Sequence, residues 1–374
     1  MTDPFKSLDA AQRSSSTSGN ETSSVSRRTF AIAGILTTVF GLEEIPSEAS
    51  EIACLWLLHP RLATQERMTG IATAVITDWN STFQGARSDS KHGVKGLIAV
   101  AFDQRNHGTR LVDPLANEAW KQGNPRHAQD MFSIFQGTAR DVSLLIDYIP
   151  SFIFPKSDRE ISKNLVLGVS LGGHAAWSCI LHEPRVSAGV VIIGCPDYVN
   201  LMADRARLSK LPSWMNSKAP GSQFLGSEDF PSSLLDAVRK YDPASLFLSR
   251  MGPIVNTSPL RSESLPRPTE GEKDTLRPIL KSCLAGKKIL NLSGGLDKLV
   301  PYHRGSTFLT WLKQAISPDG WFADGVVTLE DIIDESAEHE VTPKMVDEAV
   351  RFIRETLETN NGNPKTGFVR EAKI

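Results

Sequence analysis

The chain has 374 residues, 40% of them hydrophobic, and a formal net charge of −2. That content supports one large core or two smaller ones. With no broad basic field or acidic tail, nucleic acid is excluded as the expected partner. No apolar run reaches the roughly 18 residues a membrane-spanning helix needs, so no membrane span is expected.

Residues 1–25 are rich in Ser, Thr, Gly and Asn. They carry too little apolar surface to offset ordering entropy and read as a disordered tail. Ser26-Arg27-Arg28-Thr29-Phe30 imitates a twin-arginine signal, with an apolar stretch from Ala31 to Leu42 behind it. The β-formers Phe30, Ile32, Ile35, Thr37, Thr38 and Val39 favour a strand or hairpin over Thr29–Leu42 instead. Cys54, Cys179, Cys195 and Cys283 form no C-x-x-C pair and no Cys/His cluster of zinc spacing. They read as buried thiols of a reducing, cytoplasmic compartment.

Beyond residue 29, short apolar runs alternate with amphipathic segments. Ile52–Leu58, Gly96–Phe102, Asn164–Val169, Ala188–Ile193, Lys287–Leu292 and Gly325–Leu329 read as strands. Thr64–Trp79, Thr138–Ile149, Gly172–Leu181, Ser306–Ile316 and Thr342–Leu357 read as helices. This alternation predicts an α/β fold, a mostly parallel sheet with helices on both faces. The rhythm stops over residues 199–285, which carry nine prolines from Pro212 to Pro278. The expected organisation is therefore a core of 26–198 and 286–360 with a cap insertion at 199–285, flexible near 256–274.

Gly168-Val169-Ser170-Leu171-Gly172 fits G-x-S-x-G. Alone the motif is weak. Here the strand Leu165-Val166-Leu167 runs into it and the helix of His174-Ala175-Ala176-Trp177 leaves it, which is the setting it requires. A serine on so tight a turn needs neighbours without side chains at 168 and 172. The turn lifts the Ser170 hydroxyl above the sheet and points the Leu171 N–H at a developing oxyanion.

A serine hydroxyl needs a base, and the base an orienting carboxylate. Where G-x-S-x-G sits on such a turn, the order along the chain is Ser, acid, His. Of eight histidines, His59, His92, His107 and His127 precede Ser170, and His174 and His182 belong to the next helix. His303 starts a helix and faces a loop. His339, in a polar loop between the last strand and the closing helix, is the expected base. Asp297, after Ser293-Gly294-Gly295-Leu296, is the expected acid, with Asp197 the alternative unless it is a helix cap. A second oxyanion donor should follow Leu58 in His59-Pro60-Arg61-Leu62. Pro60 has no N–H, which leaves that of Arg61; the Arg61 side chain can hold an anionic part of a substrate or lie solvated at the surface. In Asp103-Gln104-Arg105-Asn106-His107-Gly108, Arg105 and His107 read as rigidifying a loop near the site. His127 and Asp130 read as a helix N-terminus that could also line a pocket.

Together these segments, Gly168–Gly172, Asp103–Gly108, Ser293–Asp297 and Glu338-His339, resemble the α/β-hydrolase superfamily over residues 29–357. The likeness is to esterases and to dienelactone-hydrolase-like or prolyl-oligopeptidase-like members, with His59-Pro60 where His-Gly is usual. It implies an eight-stranded, mostly parallel sheet and a Ser170–Asp297–His339 triad. The expected activity is cleavage of a small-molecule carboxylic ester or thioester through an acyl-enzyme, without metal or organic cofactor. A non-catalytic binder on the same fold, or an acyltransferase or lyase using the same triad, is the alternative.

Overall fold

The computed structural model describes residues 3–10, 25–85, 96–216, 218–252, 259–262, 264–358 and 366–374. Three apolar runs form the sheet's centre: β3 (Glu51–Leu58), β4 (Gly96–Phe102) and β5 (Glu160–Val169). Every residue of β4 is buried. Alternate side chains enter two different cores. Cys54, Trp56, Leu58, Val100 and Val166 join one core, and Ala53, Leu55, Leu57, Ala99 and Leu167 the other. A strand buried on both faces has no need of polar alternation.

The sheet has nine strands among the described residues, in the order β1-β2-β4-β3-β5-β6-β7-β8-β9. The Thr29–Leu42 region is a hairpin of β1 (Arg27–Ile32) and β2 (Ile35–Phe40), and β2 runs antiparallel to β4. The remaining strands are parallel: β6 (Val186–Ile192), β7 (Lys288–Gly294), β8 (Thr328–Asp334) and β9 (Phe368–Lys373). Two expectations need correction. The count is nine rather than eight, because the polar sequence of β9 pairs beside β8 at an edge where little burial marks it. Gly325 and Val326 form a tight turn, with Val326 at φ +53°, and β8 begins three residues later than expected.

Helices α1 (Thr69–Gly85) and α10 (Pro343–Glu358) cover one face, contributing Ile71, Val75, Met345 and Phe352 to its core. Helices α2 (His127–Ile153), α3 (Leu171–His182) and α9 (Tyr302–Ile316) cover the other. Between β6 and β7 run α4 (Tyr198–Leu208), α5 (Pro212–Met215), α6 (Ser232–Tyr241), α7 (Pro243–Leu248) and α8 (Glu270–Leu284). Phe247, Leu276, Leu280 and Leu284 from this stretch are buried in the same core as α3, so much of residues 199–285 is continuous with the main body. Within the stretch expected to be flexible, 256–258 and 263 lie outside the described residues. From Thr269 the chain is ordered by a reciprocal cap, Thr269 on the Glu272 amide and Glu272 on the Thr269 amide.

The tail expected to be disordered is partly structured. Phe5 is buried and Leu8 nearly so, the Pro4 carbonyl accepts from the Val341 N–H at 2.7 Å, and Arg67 pairs with Asp3 and Asp9. Positions 11–24 lie outside the described residues. All four cysteines are free and buried, and burial pushes the Cys54 and Cys179 thiols up. No helix among the described residues is long and apolar enough to cross a membrane.

Trp56 and Asn164 join the central strands through a buried bond, the indole N–H donating to Asn164 Oδ1 at 3.0 Å. A buried donor without an acceptor is costly. Asn164→Ala should lower the unfolding free energy by about 2 kcal/mol in urea titration, with an unchanged denaturant slope.

Candidate active site

Five segments meet above the carboxyl ends of the parallel strands. They follow β3 (Arg61), β4 (Asp103–Gly108), β5 (Ser170), β7 (Asp297) and β8 (His339). At the end of β5 the chain turns into α3 with Ser170 at φ 54°, ψ −111°, a conformation costly for any residue with a side chain. Two close approaches enforce it. A Cβ at Gly168 would lie 1.9 Å from the Gly172 carbonyl oxygen, and one at Gly172 would lie 2.0 Å from that of Leu58. The Ser170 N–H donates to the Ile192 carbonyl at 2.9 Å, which ties the turn to β6.

The structure brings Ser170, His339 and Asp297 together. Ser170 Oγ stands 2.9 Å from His339 Nε2, and His339 Nδ1 stands 2.7 Å from Asp297 Oδ2. The other Asp297 oxygen accepts from the Leu299 and Val300 amides, each at 2.8 Å. Burial alone would raise the Asp297 pKa. The bond and charge of His339 and the two amides outweigh burial and hold it below the ordinary carboxylate value. An ionised Asp297 only accepts, so the imidazole proton sits on Nδ1, and Nε2 is left to accept from Ser170.

The acid and histidine loops are fastened to each other. The Gly295 N–H donates to the Asp334 carbonyl at 2.7 Å, and the Leu296 N–H to the Ala337 carbonyl at 2.9 Å. A Cβ on Gly294 would sit 2.4 Å from the Glu338 carbonyl oxygen, which explains the paired glycines before Asp297. Behind His339, the Asp334 carboxylate accepts from Ser336 Oγ and Thr342 Oγ1, each at 2.8 Å.

Leu171 is the first residue of α3, and its N–H has no intrahelical acceptor. The segment after β3 abuts the same turn, since a Gly172 Cβ would also lie 2.8 Å from the His59 carbonyl oxygen. His59 is locked in place: its Nδ1–H donates to the Pro60 carbonyl at 2.8 Å, and its Nε2 accepts from the Gln104 N–H at 2.9 Å. Burial lowers its pKa to about 4, so the ring is neutral. Arg61 is 8% exposed rather than solvated, and its Nη1 donates to the Asn117 carbonyl at 3.0 Å. Burial, then the charge of Arg205, push its pKa down to about 10.

The remaining expected residues sit nearby in supporting positions. Asp103 accepts from the Gln65 and Thr109 amides, and Arg105 forks onto Asp141 of α2 at 2.9 and 3.0 Å. His107 Nδ1 bonds the Arg105 carbonyl within the loop. Asp197 caps α4 through the Asn200 N–H and pairs with Arg261. His303 is exposed at the start of α9. A cavity of about 370 Å³ lies against His339, lined by Arg61, Trp120, His127, Arg205 and Lys298 among others. Arg205 was not legible beforehand. Its segment carries an i, i+4 apolar pattern in Leu201, Met202 and Ala206, but the prolines that follow masked it. Among the described residues, no group of three or more His, Cys, Asp or Glu side chains is placed to hold a metal ion.

Gly168→Ala should cost about 3 kcal/mol or more in chemical denaturation, since backbone rather than a flexible side chain occupies the space. The acid limb of stability should also report the Asp297–His339 contact. The folded state holds Asp297 ionised below its ordinary pKa of 3.8. Its contribution is therefore present above that value and fades as pH falls through the depressed one. The stability gap between wild type and Asp297→Asn should narrow steadily below pH ~4 in acid titrations followed by circular dichroism.

No protein-family model and no curated protein matches the chain. Among solved structures, TT1662 from Thermus thermophilus is similar with a TM-score of 0.51 at 19% identity, over 90% of this chain and 99% of its own. An acylaminoacyl peptidase from Pyrococcus horikoshii gives 0.49 at 12% identity, over 94% of this chain and 44% of its own. Acetyl xylan esterase 1 from Thermoanaerobacterium sp. gives 0.44 at 14% identity, over 91% and 86%. With its mostly parallel sheet, the strained Ser170 turn after β5 and the chain order serine, aspartate, histidine, this chain is an α/β-hydrolase-fold protein.

Proposed function

We propose that the protein is a serine hydrolase that cleaves a carboxylic ester or thioester. The observation that carries this reading is the unbroken line of bonds from Ser170 Oγ through His339 to an ionised Asp297, built on a strained turn. Strain of this kind persists only where the surroundings over-determine it, and here it sets the hydroxyl against His339, which lines the cavity.

In the first half-reaction the Ser170 proton passes to His339 Nε2 while Oγ bonds the substrate carbonyl carbon. The negative charge on the former carbonyl oxygen is met by the Leu171 N–H at the start of α3 and by the Arg61 N–H. Collapse breaks the bond to the leaving oxygen or sulfur, which takes the proton from His339. In the second half a water gives its proton to His339 and attacks the acyl carbon, and the acid leaves as Ser170 recovers its proton. Asp297 keeps the imidazole in the required tautomer and stabilises its protonated form. None of these steps calls for a metal or an organic cofactor. The start of the 199–285 stretch covers the site in this scheme, with α4 forming one wall of the cavity beside His339.

A fluorophosphonate probe should label wild-type protein at Ser170 and leave Ser170→Ala unlabelled. On a p-nitrophenyl ester panel, Ser170→Ala should lose about 10⁴-fold or more in kcat. Turnover that survives in the variant would refute the assignment. A wild type that binds esters without labelling or turnover would indicate a binder on the same fold.

A further inference from the structure

The cavity beside His339 is unusual in its charge. Arg61, Arg205, Lys121 and Lys298 line it against one carboxylate, that of Glu118. Several arginines elsewhere are neutralised: Arg105 and Arg110 share Asp141, Arg207 and Arg304 share Asp204, and Arg351 meets Glu330 and Glu348. Arg205, Lys121 and Lys298 have no carboxylate within the 4.0 Å of an ion pair among the described residues.

Arg205 is the central case. It projects from α4 and is held only by neutral acceptors. Nη1 donates to His127 Nε2 at 3.2 Å and approaches Met131 Sδ at 3.1 Å, and Nη2 donates to the Leu299 carbonyl at 3.1 Å. Its Nε is buried without a partner. His127 supplies no counter-charge. Its Nδ1–H donates to the Glu118 carbonyl at 3.0 Å, so Nε2 is the lone pair that Arg205 uses. Burial, then the charges of Arg205 and Arg61, drive the His127 pKa well below its ordinary value. The carboxylates of Asp297 and Asp204 act on it only from beyond ion-pair distance, and a guanidinium withdrawn from water with no carboxylate in contact is expensive. An anionic ligand relieves that cost, while Trp120, Ala119 and Leu208 offer apolar wall to its stem.

We propose that this cavity is a carboxylate subsite, with Arg205 at its centre, and that the substrate is an ester or thioester bearing a second, free carboxylate. The substrate assignment rests on the hydrolase reading above; the subsite does not. Arg205 and Lys298 would position that carboxylate beside the carbonyl that Ser170 attacks.

The test compares p-nitrophenyl hemiglutarate with p-nitrophenyl valerate, which has the same acyl length and no second charge. In wild type at low ionic strength the hemiglutarate should have a kcat/KM at least tenfold higher. That ratio should shrink as salt rises to about 0.5 M. It should fall towards one in Arg205→Gln and in Lys298→Ala, both checked for folding by circular dichroism. A wild-type ratio of one or less overturns the subsite and leaves the hydrolase intact. Turnover of neither ester overturns the hydrolase instead, and binding then decides the subsite. Millimolar glutarate should raise the melting temperature of full-length Ser170→Ala by several degrees, and should not raise that of Ser170→Ala with Arg205→Gln. No shift in Ser170→Ala, or a shift with inorganic phosphate and none with glutarate, overturns the carboxylate assignment.

Discussion

The backbone at the end of β5 runs through a space that admits no side chain. Gly168 faces the Gly172 carbonyl, Gly172 faces the Leu58 and His59 carbonyls, and Ser170 between them is held at positive φ. Three chain segments are thereby pressed together at one point of the sheet edge. The hydroxyl of Ser170, the first amide of α3 and the loop carrying Arg61 all take their positions from that contact. A looser turn would leave the same residues present and their geometry unset, and positioning of reacting groups is sensitive at the scale of an ångström.

Around this point the molecule is rigid in layers. The histidine is held by the aspartate, the aspartate by two amides of its own loop, and that loop by backbone bonds to the one carrying His339. Residues 3–10 pack behind, with the Pro4 carbonyl on Val341 two positions past the imidazole. On the opposite side, neutral His59 fixes the Pro60–Arg61 segment against Gln104. Its neutrality is a product of burial, which makes the ring a hydrogen-bonding spacer rather than a charge. The site thus has a tightly bonded wall and a separate wall rich in cations, where Arg205 is held by neutral acceptors. Such a division suits a reaction in which one region performs proton transfer and the other recognises charge.

Length, periodicity and glycine placement carried the main outline of the fold. β3, β4 and β5 were legible because strands buried on both faces are continuous apolar runs, and α10 because its apolar residues recur every three to four positions. The edge strand β9 was not, since Phe368–Lys373 is half polar and defined by its pairing with β8 rather than by burial. Residues 3–10 were missed for a related reason. Phe5 and Leu8 are two apolar residues in a polar stretch, and only a groove made by distant segments gives them somewhere to go.

From the residues alone, a serine stands on a strand-to-helix turn flanked by the glycines such a turn demands, and chain order leaves His303 or His339 as base and Asp297 or Asp197 as acid, with loop position favouring His339 and Asp297. These are local or ordinal properties, and they survive without coordinates. Tertiary structure decided everything that depends on which charges face one another. Arg61 could equally have been solvated, and Arg205 lay in a proline-rich stretch without visible rhythm. Whether an arginine meets a carboxylate is settled by packing between segments far apart in the chain, as α4 against the loops holding Glu118 and Leu299. Coulomb interactions act through space and not along the chain, so a cluster of cations around one cavity leaves no mark in the order of residues.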